Sequence, residues 1–386
     1  VRLSFLKSPT FFIAAPVILG VCALEVARFP FLNRLELMTF DWRVRLAHRV
    51  QNTASNQPSR IGLVEISDNT IYEVKHGHLG FDYGLYWPRD VYAAALKELT
   101  LQGAKAVAFD ILFAEPRDDQ GLVALPDGSL AAPDDIFAAQ LKQSGNVILA
   151  ADSDVMPLLK FRTNAWRVAN ISVERDSDGV LRRVRAWQDY RVWDPVILNA
   201  AGQLQWNLSK TIADRKSRKI TFFSQVKGEL FEFPTDDEGR IAASDLLKTV
   251  PPGFPAKITP CRNFRAWAMG ILLAAYDLKL DLEHPVFEPG RIILRGPHGL
   301  TRSIPVDGQG YFYIDWSLAQ NDPQVHQGAF EMLLAAQVAR RRGETVVDSW
   351  KDKLVVIGST ATGNDLSDMG ATPLENSAFL VNKHLN

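Results

Sequence analysis

The segment Lys353-Leu354-Val355-Val356-Ile357-Gly358 constrains the fold more than any other part of the chain. Val355, Val356 and Ile357 are consecutive and β-branched, without the polar alternation of a half-exposed strand, so the strand must be covered on both faces. That requirement predicts a mostly parallel sheet with helices packed on it. The strand empties into Ser359-Thr360-Ala361-Thr362-Gly363-Asn364-Asp365 and closes at Ala371-Thr372-Pro373-Leu374. Glycine and small hydroxyl residues at a strand end let the backbone approach a ligand, and strand ends are where open α/β sheets bind. Gly358 and Gly363 have the spacing of a phosphate-binding loop. Asn364 and Asp365 stand where a lysine and a hydroxyl residue would hold phosphate and magnesium, and an aspartate there repels phosphate. Nucleotide binding at this loop is not expected.

Other segments fit the same plan. Ile61–Ile66 predicts a first strand, and a helix over 92–102, with proline before its start and Gly103 at its end, leads into a second strand over 106–113. Strand, helix and strand in that order predict a right-handed parallel crossover. A helix over 134–143 and a third strand over 146–151 continue the sheet. Between 168 and 190 two strands are expected to flank the turn Asp176-Ser177-Asp178-Gly179. Helices are expected over 194–212, 264–280 and 328–342, the last ending in Arg340-Arg341-Arg342, and late strands over 292–295 and 311–316 around Asp307-Gly308. Residues 216–255 are charged, proline-bearing and weakly periodic, and read as an insertion.

The N-terminus adds a membrane expectation. Residues 11–24 are uncharged, but at ~1.5 Å per residue they cover roughly 21 Å, short of the ~30 Å hydrocarbon core. Extending the helix to 3–26, with Lys7 snorkelling and Glu25 at the boundary, gives a single spanning helix. A cleavable signal peptide, a lipid-modified Cys22 and a buried soluble helix compete with it; no good small-x-small cleavage site precedes Glu25, and Val21 stands where a small residue is expected before a lipid-modified cysteine. Residues 1–34 are thus expected to form a transmembrane helix with its flank, and 35–386 the folded domain. Residues 35–46 carry apolar positions three and four apart and predict a helix joining the two. Arg28, Arg34, Arg43, Arg45 and Arg49 follow the apolar segment and only Arg2 and Lys7 precede it, which favours a cytoplasmic domain on a literal count; that rule applies to short loops.

With 43 basic against 44 acidic residues and a net charge of -1, nothing draws the chain to nucleic acid. Cys22 and Cys261 alone make neither a disulfide framework nor a cysteine zinc site.

Several blocks, taken in order, resemble the type 2 CHASE domain. They are Asp41-Trp42-Arg43-Val44-Arg45, Val64-Glu65-Ile66-Ser67-Asp68, Trp87-Pro88-Arg89, Phe109-Asp110-Ile111-Leu112-Phe113-Ala114-Glu115-Pro116, Asp178-Gly179-Val180-Leu181-Arg182-Arg183, and the strand 353–358 through Asp368 to Thr372-Pro373. The resemblance implies a periplasmic domain of a bacterial inner-membrane protein, sensing an unidentified small molecule or protein and signalling to an adenylate cyclase, histidine kinase or serine/threonine kinase module. No cyclase or kinase motif occurs in this sequence, and where the family pattern leads to His-Ala-Asn only a trace remains over 378–384. A homodimer is a further implication of the resemblance; no cofactor is implied.

Asp68, Asp110, Glu115, Asp365 and Asp368 fall at or after predicted strands, so a parallel sheet could gather them at its carboxyl edge with Trp87 and Arg89 nearby and Thr372 in the closing segment. These eight residues are the candidate ligand site. The competing reading is structural: Asp68 and Asp90 at helix starts, Arg89 paired with a carboxylate, Asp110 satisfying backbone amides. A cation held by Asp110, Asp365 and Asp368, in a periplasmic metal-dependent hydrolase, is the alternative function, but no metal-specific spacing supports it. His76-Gly77-His78 lacks a third ligand nearby in sequence, and neither Gly-x-Ser-x-Gly nor His-Glu-x-x-His occurs, so no catalytic residue is assigned.

Overall fold

A computed structural model describes residues 9–26, 30–51, 60–84, 86–117, 121–125, 127–153, 155–225, 228–247, 249–316, 325–361 and 371–374. The chain forms two compact units, one of Val1–Asp152, Met156–Ala186 and Ala268–Asn386, the other of Ser153–Val155 and Trp187–Trp267.

In the larger unit six strands lie side by side: β1 (Ile61–Ile66), β2 (Ala106–Phe109), β3 (Val147–Ala151), β4 (Arg167–Asn170), β5 (His326–Ala329) and β6 (Leu354–Ser359). Their order is β5-β1-β6-β2-β3-β4, and every neighbouring pair is parallel. The three segments on which the predicted sheet depends, in β1, β6 and β2, are therefore adjacent and point the same way. Its helices of eight residues or more, among the described residues, are α1 (Pro9–Val26), α2 (Pro30–Gln51), α3 (Asp68–Lys75), α4 (Arg89–Leu101), α5 (Pro133–Ser144), α6 (Met269–Leu278) and α7 (Phe330–Arg341).

Register places Val64, Ile357, Phe109 and Leu149 in one row across the sheet, all buried in one core with the inner faces of α4, α5 and α7. Phe109, Phe113, Phe137 and Phe161 interlock there, with Phe113 and Phe137 centroids 4.8 Å apart; such pairs add ~0.5–1.5 kcal/mol each beyond area burial. By strand alternation Ala108, Ile148 and Ala150 face the other way, the side covered by α6. Asp277 of α6 pairs with Arg60 and Lys105 and fixes that helix at the amino end of β1 and β2. Chain reversals are cut by glycine: Gly103 after α4 and Gly145 after α5 have φ of 78° and 69°, positions that a Cβ disfavours. Trp350 lies against β1 and β5, and a Cβ at Gly62 or Gly328 would sit 2.7 Å from its ring.

The smaller unit has an antiparallel pair, Trp187–Trp193 with Cys261–Trp267, a helix Pro195–Leu204, and a three-stranded antiparallel sheet of Trp206–Asp214, Lys219–Ser224 and Leu230–Pro234. Its own core contains Ile197, Trp206, Ile220, Phe222 and Ile241, with Trp206 stacked on Phe222 at 4.4 Å. Residues 216–255 lie inside this unit.

Several expectations are corrected. Among the described residues no helix is long and apolar enough to cross a membrane, so the spanning helix over 3–26 is not found. α1 has 18 residues, ~27 Å at ~1.5 Å per residue, and residues 3–8, on which the longer span relied, lie outside the described residues. The second strand stops at Phe109 rather than 113; Asp110 N donates to Ile357 O at 2.8 Å as the last rung, and the chain then leaves the sheet. The Asp176–Gly179 turn forms, with Gly179 N on Asp176 O at 2.8 Å, but no hairpin surrounds it, because β4 pairs with β3 and Arg183–Arg185 pairs with Tyr311–Tyr313. The helix expected over 194–212 ends at Leu204, and Trp206–Asp214 is a strand. The helices expected over 264–280 and 328–342 likewise begin as strands and become helical at Met269 and Phe330. The loop expected over 51–59 falls almost wholly outside the described residues.

Candidate functional site

A two-stranded ribbon of the larger unit organises the site. Arg183–Arg185 and Tyr311–Tyr313 pair antiparallel, Val184 opposite Phe312. Side chains alternate across a pleat, so Val184 and Phe312 face one way and Arg183, Tyr311 and Tyr313 the other. A cavity lies on each side.

The first, about 440 Å³, is at the carboxyl edge of the parallel sheet. Asp110 enters it from the end of β2, Asn170 and Ile171 from the end of β4, Met269 and Gly270 from the first turn of α6, and Val184 and Phe312 from the ribbon. Alanine precedes α6, so no side chain caps that helix, and its first amides give the cavity the positive end of a helix dipole. At Gly270 an added Cβ would meet nothing within 4 Å.

The second cavity, about 340 Å³, is lined by Leu37 of α2, Glu174, Asp176, Arg183, Tyr311 and Tyr313. Here the charges are paired: Arg183 lies 3.1 Å from Asp307 and 3.5 Å from Asp176, and Arg185, which lines the first cavity, donates through Nε to the Tyr311 hydroxyl at 2.7 Å and lies 3.2 Å from Glu174. The Tyr311 hydroxyl donates to Glu174, and burial, then that bond, push its pKa up. Arg175 lines both cavities. It has no carboxylate partner among the described residues; its guanidinium reaches only Gly179 O, at 3.5 Å.

Beside the ribbon, Arg182 is 1% exposed and holds three carboxylates. Nε and Nη2 donate to the two oxygens of Asp41 at 2.7 and 2.8 Å, and Nη1 donates to Asp176 and Asp178, both at 2.9 Å. A further bond from Nη2 reaches Asp178 at 2.7 Å. Burial opposes the buried charge, but these bonds outweigh it and raise the Arg182 pKa above its ordinary value. The bond to Arg182 holds the Asp178 carboxyl below the usual range. Asp41 belongs to α2, and two further contacts dock the same helix: Phe40 on Tyr313 at 4.9 Å, and Arg45 Nε donating to Pro373 O at 3.0 Å. The opposite stripe of α2, with Leu35, Met38, Trp42, Leu46 and Val50, is exposed.

Of the expected site residues that are described, Asp110 alone lines either of these two cavities. Trp87 is a core residue, 3% exposed and stacked on Phe330 at 5.6 Å. Arg89 opens α4, lies over the Phe113 ring at 4.8 Å, is 3.9 Å from Asp134 and donates to the backbone carbonyl of Glu115 at 3.4 Å; burial pulls its pKa down. Glu115 itself is exposed. Asp68 is exposed in the first turn of α3, whose cap is Ser67 in a reciprocal box with Thr70. Thr372 belongs to the short segment held by Leu181 N on Ala371 O at 2.9 Å and by Arg45 on Pro373 O. Asp365 and Asp368 lie outside the described residues. No group of three metal-ligating side chains occurs among the described residues, and His76 and His78 are exposed, His78 beside Glu73 at 2.8 Å.

Arg175, Gly270 and Phe312 were not anticipated from sequence. Nothing local marks them, although Asp178 and Arg182 stand in a block that was.

No curated protein and no solved structure matches this sequence. The model of the CHASE2 domain matches residues 17–386. Its span joins the sheet, the ribbon and the α2 lock in one match, and the chain belongs to the CHASE2 domain family.

Proposed function

We propose that this chain, as an extracytoplasmic sensor domain of the CHASE2 family, faces the bacterial periplasm, takes a small ligand in the cavity at the sheet's carboxyl edge, and signals through α2 to a cyclase or kinase module. One observation carries the reading: the ribbon that walls the cavity with Val184 and Phe312 bears α2 on its other face, through Phe40 on Tyr313. A ligand that prefers one ribbon position biases the helix by its differential affinity for the two states, and such couplings are typically ~1–3 kcal/mol. Membrane attachment through residues 1–34 is part of the proposal, supported by exposed Ile13, Val17, Ile18 and Leu19 on α1. The spacing of Leu35, Met38, Trp42, Leu46 and Val50 supports a second copy of the chain as the partner of the exposed α2 stripe.

The test joins the chain to a cyclase output and measures basal activity. Filling the cavity with Gly270→Trp is expected to shift output, and adding Asp41→Asn, which loosens α2, is expected to cancel that shift. Folded variants with unchanged output would reject the reading. Added protease should digest the domain in intact spheroplasts; protection until lysis would reject the topology.

A further inference from the structure

We infer that the carboxyl-edge cavity takes a small organic acid, a single carboxylate on an apolar body. The inference rests on the sensor reading and specifies its ligand.

Arg175 brings a positive charge to the cavity wall. Arg182, Arg183 and Arg185 are committed to carboxylates of the protein, whereas Arg175 has none among the described residues and borders the cavity. A guanidinium offers two parallel donors matched to a carboxylate. The uncapped first turn of α6 opens on the same space and favours the same sign of charge. Asp110 sets the upper limit: a carboxylate in the wall repels a dianion more than a monoanion, which selects against phosphate esters and dicarboxylates. Asn170, Ser172 and the carboxylate-paired Arg185 add polar lining, and most of the remainder is apolar, with Ile171, Leu181, Val184, Met269, Phe312 and Ile314. About 440 Å³ falls within the ordinary range for small-molecule sites.

Gly270 supplies the control. It is helical, it lines the cavity and its Cβ position is open, so Gly270→Leu adds bulk at the cavity wall with no clash at the Cβ, and leucine is the better helix former.

The test is binding to the full chain by calorimetry and thermal unfolding, with phenylacetate, its neutral isostere phenylacetamide, and inorganic phosphate as probes. Phenylacetate is expected to bind and raise Tm, phosphate and phenylacetamide to bind at least about ten-fold more weakly, and Arg175→Gln to weaken phenylacetate by about ten- to a hundred-fold. Gly270→Leu is expected to abolish binding while leaving the unfolding temperature of the free protein unchanged or higher. Equal affinity for phenylacetamide would overturn the charge assignment, undiminished binding by Gly270→Leu would overturn the site, and no binding of phenylacetate at about ten millimolar would overturn the class. The sensor reading survives any of these if Gly270→Trp still shifts output, so the two failures are distinguishable.

Discussion

Arg182 grips Asp41 through two hydrogen bonds, 2.7 and 2.8 Å long, and this pair ties helix α2 to the loop that leads into the ribbon. Both partners are buried, Asp41 at 3% exposure. Removing the guanidinium strands the carboxylate, so Arg182→Met is expected to cost ~3–5 kcal/mol by urea unfolding. Lysine keeps the charge but not the fork of donors, and Arg182→Lys should recover little of the loss. Asp41→Asn keeps the shape and is expected to cost ~1–2 kcal/mol, with faster proteolysis within α2.

The same network predicts an acid transition. Because the bond to Arg182 depresses the folded pKa of Asp178, the stabilisation is present above the ordinary carboxylate value of ~4 and is lost as pH falls through the lower folded value. Wild type should therefore exceed Asp178→Asn in urea midpoint at neutral pH, and the gap should close as pH drops below ~4. A gap that widens in acid would contradict the assignment.

Trp350 sets a packing test at the other end of the sheet. Gly328→Ala places a methyl 2.7 Å from the Trp350 ring and is expected to cost ~1–3 kcal/mol. In a double-mutant cycle with Trp350→Leu the two costs should be less than additive, since the leucine removes the ring the methyl meets.

Arg89 and Asp134 are buried 3.9 Å apart, with Arg89 Nε and Asp134 Oδ1 making no hydrogen bond. Arg89→Met should cost ~3 kcal/mol by leaving buried Asp134 with the Arg117 amide but without its cation, and adding Asp134→Leu should bring stability back to within ~1 kcal/mol of wild type. Signalling output that follows stability in both variants would mark Arg89 as part of the core.

The parallel core was readable because its strands announce themselves. Val355, Val356 and Ile357 can pack only between two layers, and Ile61–Ile66 and Ala106–Phe109 are bounded by turn residues at the right distances. β5 carries no such signal: His326-Gln327-Gly328-Ala329 has no β-branched residue, and its glycine is required by Trp350, a tertiary contact. Residues 264–268, the second half of the strand Cys261–Ala268, read as the start of the following helix because an apolar run does not distinguish strand from buried helix. At the site, Asp110 is legible as a carboxylate in the second predicted strand, although the strand ends one residue before it. Arg175, Gly270 and Phe312 come from three distant segments, and Asp41 meets Arg182 across 141 positions, so their meeting is a property of topology.

The ribbon is a partition only three residues long on each strand, and its antiparallel pairing couples the two strands to each other. A tilt that enlarges one chamber takes room from the other. Occupants of the two chambers would thus act as antagonists without sharing a single contact, with α2, leaning on the polar side, registering which of them prevails.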